Sequence, residues 1–131
     1  MLERDDSFTV VLKDDVLFTT GLNQISPRMF LSLNKIASIV REIGQEVRIV
    51  GYSDATPAPP GEPSNLELSL MRAVLVQNYL MYGGRVSRLL MEGEGRGEEL
   101  SPHLKEKPGY LPKIDDVQRR RVEIVWGLEA L

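Results

Sequence analysis

Glu46-Val47-Arg48-Ile49-Val50-Gly51-Tyr52, a loop from Ser53 to Pro63, and Ser64-Asn65-Leu66-Glu67-Leu68-Ser69-Leu70-Met71-Arg72-Ala73 form the stretch on which the fold turns. The first segment is rich in β-branched residues, with Val47 and Ile49 on one face, and reads as a strand near the centre of a sheet. The loop holds prolines at positions 57, 59, 60 and 63. That density forbids helix and central strand, and it stiffens the connection. Ser64 and Glu67 have capping-box spacing, so a helix starts there. It runs to Met81 or Tyr82, where Gly83-Gly84 stops it.

Outward from this unit, Ser7-Phe8-Thr9-Val10-Val11-Leu12 reads as a first strand, and Asp14-Asp15 as a turn before the short apolar patch Val16-Leu17-Phe18. Ser26 and Pro27 open an earlier helix as N-cap and first helical residue. Phe30, Leu33, Ile36, Ala37, Val40 and Ile43 give it one apolar face, and Gly44 is its C-cap. Leu89-Leu90-Met91-Glu92-Gly93 is a third strand, Glu94 to Asp116 a long loop, and Arg121-Val122-Glu123-Ile124-Val125-Trp126 a final alternating strand. The order β-α-β-α-β-β predicts an α/β two-layer sandwich, a mixed sheet with both helices on one face.

The chain has 131 residues, of which 42% are hydrophobic and 27% charged, a globular composition that suits one domain over 1–131. Residues 1–6 read as a flexible start and 97–116 as a variable loop. There is no cysteine, which removes disulfides, thiol catalysis and thiolate metal sites. His103 is the single histidine, and Asp14-Asp15 and Asp115-Asp116 are adjacent acids without a third ligand, so no metal and no cofactor is expected. A net charge of −3 argues against nucleic acid as a partner, and Arg119-Arg120-Arg121 does not reverse that. No apolar window reaches the length of a membrane span, and the charged start Met1-Leu2-Glu3-Arg4-Asp5-Asp6 does not read as a signal peptide. Gly93-x-Gly95-x-Gly97 is followed by no helix and so fails as a phosphate loop. No pair of carboxylates is spaced for glycosidase chemistry.

The second helix carries the most informative spacing. Asn65, Ser69, Arg72 and Val76 stand at i, i+4, i+7 and i+11, on one narrow stripe of an otherwise apolar helix. A charge in such surroundings is costly without a partner, so Arg72 needs an anion from the protein or from a ligand. Asp54 is the natural neighbour, because it sits where the second strand ends, and ligand sites in α/β sheets lie beyond strand ends. Two readings stand side by side. Asp54 and Arg72 form an internal salt bridge that supports the loop, or they receive a zwitterion, with its ammonium on Asp54 and its carboxylate on the guanidinium fork. The apolar surplus of the same helix reads as core or as a dimer face.

Gly51-Tyr52-Ser53-Asp54 with Ser64-Asn65-Leu66-Glu67-Leu68-Ser69-Leu70-Met71-Arg72-Ala73 resembles the signature of the OmpA-like C-terminal domain family. Val16-Leu17-Phe18 with Gly21, Gly84-Arg85-Val86-Ser87-Arg88-Leu89, Glu92-Gly93-Glu94-Gly95 and Arg119-Arg120-Arg121-Val122-Glu123-Ile124 match it in order. Asp54-Ala55-Thr56-Pro57 and Pro63-Ser64-Asn65-x-Glu67-Leu68-Ser69 are similar to the family's MotB branch. Tyr52 stands where the family usually has His, and Leu66 where MotB sequences often have Trp. The resemblance implies a noncatalytic periplasmic module, the extracytoplasmic part of an inner-membrane protein, that grips the diaminopimelate of the peptidoglycan stem peptide. It assigns Asp54 to the ammonium and Arg72 to the carboxylate. It adds Asn65 and Ser69 as supporting groups, Leu68 packing behind them, and an arginine that is Arg120 or Arg121. It further implies a homodimer and a stator partner subunit, reached through a membrane segment that this sequence lacks. The alternatives are an OmpA- or Pal-type wall anchor without a motor role, and a small-molecule enzyme reusing the pocket.

Overall fold

The computed structural model describes residues 8–19, 24–53, 59–99 and 120–126. The elements in chain order are β1 (Phe8–Lys13), α1 (Asp14–Leu17), a 3-10 turn (Pro27–Met29), α2 (Phe30–Ile43), β2 (Val47–Tyr52), α3 (Asn65–Tyr82), a second 3-10 turn (Arg88–Leu90), β3 (Met91–Gly95) and β4 (Arg121–Trp126). The sheet order is β1-β4-β2-β3. β4 pairs antiparallel with both β1 and β2, while β2 and β3 run parallel, so the sheet is mixed.

Strand alternation divides the sheet into two faces. Leu12, Val47, Ile49, Met91, Val122, Ile124 and Trp126 face one core together with Leu33, Ile36, Ala37 and Val40 of α2 and Ala73, Val76 and Leu80 of α3. Both long helices therefore lie on one side, as the two-layer reading expects. On the other face, Val50, Tyr52 and Val125 form a small apolar cluster. Arg121 and Glu123 are buried there as well, so β4 is buried on both of its faces.

The helix boundaries follow local chemistry. The N-terminus of α3 is a complete capping box: the Glu67 amide donates to Ser64 Oγ at 3.1 Å and the Ser64 amide to Glu67 Oε1 at 2.8 Å. Gly44 closes α2 in the left-handed conformation, with φ 72°, as the C-cap reading requires. The start of α2 differs from expectation. Pro27 opens a 3-10 turn, α-geometry begins at Phe30, and Ser26 makes no side-chain cap. Its amide instead donates to the Leu17 carbonyl at 2.8 Å, which ties this turn back to α1.

Two other boundaries also move. Asp14-Asp15 opens the short helix α1 rather than a turn. The third strand begins at Met91, two residues later than its apolar run, and Leu89 lies 86% exposed in the preceding 3-10 turn. It continues to Gly95, so Glu94 and Gly95 belong to the sheet and not to the following loop. Register explains the shift: Met91 pairs with Val47 and Gly95 with Gly51, so the pairing with β2 outweighs the local apolar run.

Candidate functional site

Register brings four strand ends to one edge of the sheet. Lys13 of β1 pairs with Arg121 at the start of β4, and Arg121 pairs with Tyr52 at the end of β2. Gly51 of β2 pairs with Gly95 at the end of β3. The first half of α3 lies directly over this edge, because the paired glycines let it approach. A Cβ on Gly51 would stand 2.0 Å from the Ser69 carbonyl oxygen, and one on Gly95 would stand 2.4 Å from the Leu70 nitrogen. Only residues without a side chain allow α3 to lie this low on the sheet.

Ser69 fastens the arrangement. Its hydroxyl donates to the Leu66 carbonyl and accepts from the Gly97 amide, both at 2.8 Å. The Gly97 carbonyl in turn accepts from the Ser53 amide at 2.7 Å, and the Gly51 carbonyl accepts from the Arg96 amide at 2.9 Å. Gly97 holds φ 59°, a conformation that favours glycine, and a Cβ there would sit tightly, 3.3 Å from Leu66 Cα. Through these bonds Ser53, the residue before Asp54, is held beside the first two turns of α3. Asp54 itself lies outside the described residues, as do His103, Asp115, Asp116, Arg119, residues 1–6 and residues 100–116 of the variable loop.

The anion that Arg72 requires is on the protein, and among the described residues it is Asp14. Arg72 Nη1 lies 2.7 Å from Asp14 Oδ2, with both side chains 3% exposed. Asp14 is anchored on its other side, where its amide donates to the Arg120 carbonyl at 3.1 Å. The pair thus joins α3, the end of β1 and the entry of β4. No local pattern marks this pair, since Asp14 and Arg72 meet only once β1 is paired to β4.

The remaining candidates sort by position. The stripe on α3 is real, with Ser69, Arg72, Ala73, Val76 and Leu80 buried along it. Asn65, in the first turn of α3, and Leu68 are half-buried. Arg121 projects to the sheet face away from the helices, where its Nε donates to Glu123 Oε2 at 2.9 Å within a buried pair. Arg120 is partly exposed and sits next to Asp14 through its carbonyl. At the rim, Glu94 bridges Arg48 at 3.5 Å and Arg96 at 2.6 Å. Burial lowers the affinity of Arg96 for its proton, but the bond to Glu94 and the fields of Tyr52, Glu94 and Glu99 outweigh it and raise its pKa above the ordinary guanidinium value. Among the described residues, no group of three acids or histidines is gathered to hold a metal ion, and no helix is long and apolar enough to cross a membrane.

This arrangement suits recognition by charge and hydrogen bonding at the end of an α/β sheet. Residues 17–108 match the model of the OmpA family. The chain belongs to the OmpA family. Its fold is shared with solved OmpA-like structures. The cell wall anchor of the T6SS from Pseudomonas aeruginosa is 26% identical, with 94% of this chain and 82% of that one covered, at a TM-score of 0.72. The periplasmic domain of Helicobacter pylori MotB is 22% identical over 92% of this chain and 80% of that one, at 0.69. The peptidoglycan-associated lipoprotein from Burkholderia pseudomallei is 22% identical over 89% of each chain, at 0.64. No curated protein sequence matches the chain.

Proposed function

We propose that this OmpA-family domain is a noncatalytic wall anchor that binds peptidoglycan in the periplasm. The observation that carries the reading is the buried Arg72 on α3, set over the strand ends where the chain leads through Ser53 into Asp54. In this reading Asp54 takes the ammonium of a zwitterionic stem-peptide residue, diaminopimelate, and Arg72 its carboxylate. A guanidinium carries five N–H donors in a rigid fork, so one that is bound to Asp14 can serve a second carboxylate. Asn65 and Arg120 flank the site, and Leu68 packs behind it. Ser69 acts on the site by holding Gly97 and α3 together. Arg121, already paired with Glu123 on the far face, takes no part. The test is co-sedimentation with purified sacculi. Asp54→Ala is expected to bind at least tenfold more weakly, the loss typical of one partner of a desolvated charge pair, about 2–5 kcal/mol. Parent-like binding by that variant would remove the proposed ammonium site.

The finer assignment is a MotB-like stator that pairs as a homodimer with a membrane-embedded partner. It is supported by the proline-bearing insertion between Tyr52 and Asn65 and by the shared fold with MotB. An anchor without a motor role is favoured by a different observation, the 26% identity to a T6SS cell wall anchor. Restoring motility to a stator-deficient strain would support the first; restoring secretion alone would support the second.

A further inference from the structure

We infer that Asp14 is a positioning residue for ligand binding, which fixes the guanidinium of Arg72 at the strand-end site. The inference rests on the reading of Arg72 as the carboxylate-binding group. An arginine on a helix has a long stem with many rotamers, and ordering it for a ligand costs entropy at the moment of binding. Asp14 removes that cost beforehand, because its own backbone is held at both its amide and its carbonyl. Its carbonyl accepts from the Phe18 amide at 3.0 Å within α1, and its amide donates to Arg120 at 3.1 Å. Leu17, one turn on, is fully buried in the core. A carboxylate whose backbone is tied to β4 therefore holds Nη1 of Arg72 at 2.7 Å, and this contact fixes where the guanidinium sits.

The experiment measures sacculus binding by Asp14→Asn, Asp14→Glu and Arg72→Lys below each variant's unfolding temperature, with the folded fraction taken from circular dichroism. Folded Asp14→Asn is expected to bind about tenfold or more weakly, and Arg72 to lose the dispersed, exchange-protected Nε–H signal that a held guanidinium shows in NMR. Asp14→Glu keeps the buried charge, and with it the fold, but moves the carboxylate by one methylene; its binding is expected to fall several-fold, between parent and Asn. Parent-like binding by either folded Asp14 variant overturns the inference. If Arg72→Lys loses binding while folded Asp14→Asn keeps it, the site reading stands and the role of Asp14 fails. If Arg72→Lys binds as the parent does, both fail together.

Discussion

Arg72 of α3 and Asp14, the first residue of α1, form a buried ion pair 2.7 Å long, although 57 residues separate them in sequence. The pair couples the proposed binding residue of the domain to its stability. Removing one partner strands the other charge in the interior, which costs about 3–5 kcal/mol. Arg72→Ala is therefore expected to lower the unfolding free energy by that amount in urea titration. The double variant Asp14→Leu/Arg72→Met is expected to recover most of it, because an apolar pair of similar volume replaces two buried charges. That double variant separates the structural role of Arg72 from its proposed binding role: it is expected to fold and not to bind.

The paired glycines Gly51 and Gly95 set the height of α3 above the sheet. At Gly51 the new Cβ would meet backbone, the Ser69 carbonyl at 2.0 Å, and backbone cannot rotate away. Gly51→Ala is expected to destabilise by about 3 kcal/mol, the upper end of ordinary overpacking. Gly95→Ala acts on the same helix turn, so the two effects are expected to add to less than their sum in a double-mutant cycle. Thermal and urea denaturation of the three variants measure this.

Ser69 joins the end of β3 to α3 by a single hydroxyl. Ser69→Ala leaves the buried Gly97 amide without that acceptor and is expected to cost about 1–3 kcal/mol. Hydrogen exchange gives the sharper check: the Gly97 amide should exchange faster in the variant, while amides in the middle of α2 stay protected.

The capping box predicts a smaller, local loss. Ser64→Ala is expected to cost about 1 kcal/mol, read by urea denaturation, with faster exchange confined to the first turn of α3.

Much of this was legible in the residues. The capping box, the αL glycine after α2, the alternation of β4 and the polar stripe on α3 are local patterns, and local patterns set helix ends and strand faces. The mixed sheet with helices on one side followed from their order. Four features were not legible, because each is a product of register between distant segments. Asp14 looked like a turn acid until β1 was placed beside β4. The apolar pair Leu89-Leu90 suggests an earlier start for the third strand, but pairing with β2 selects Met91–Gly95. Gly93 closed the expected strand and Gly95 fell in the expected loop, yet both lie on the helix-facing side of β3, and period-two glycines of that kind are a usable sign of close helix approach. The pairing of Arg121 with Glu123 on the far face likewise needed the strand's phase.

The central claim is that the strand-end edge under α3 is where peptidoglycan binds. Titration of the isotope-labelled domain with a diaminopimelate-containing muropeptide, followed by backbone amide NMR, tests it most directly. The account predicts that the largest shifts fall on Ser53, Asn65, Ser69, Gly97 and Arg120, and that Asp54→Ala abolishes them at the same muropeptide concentration. Shifts that gather instead on α2 or on the Arg88–Leu90 turn, and that persist in Asp54→Ala, would contradict it.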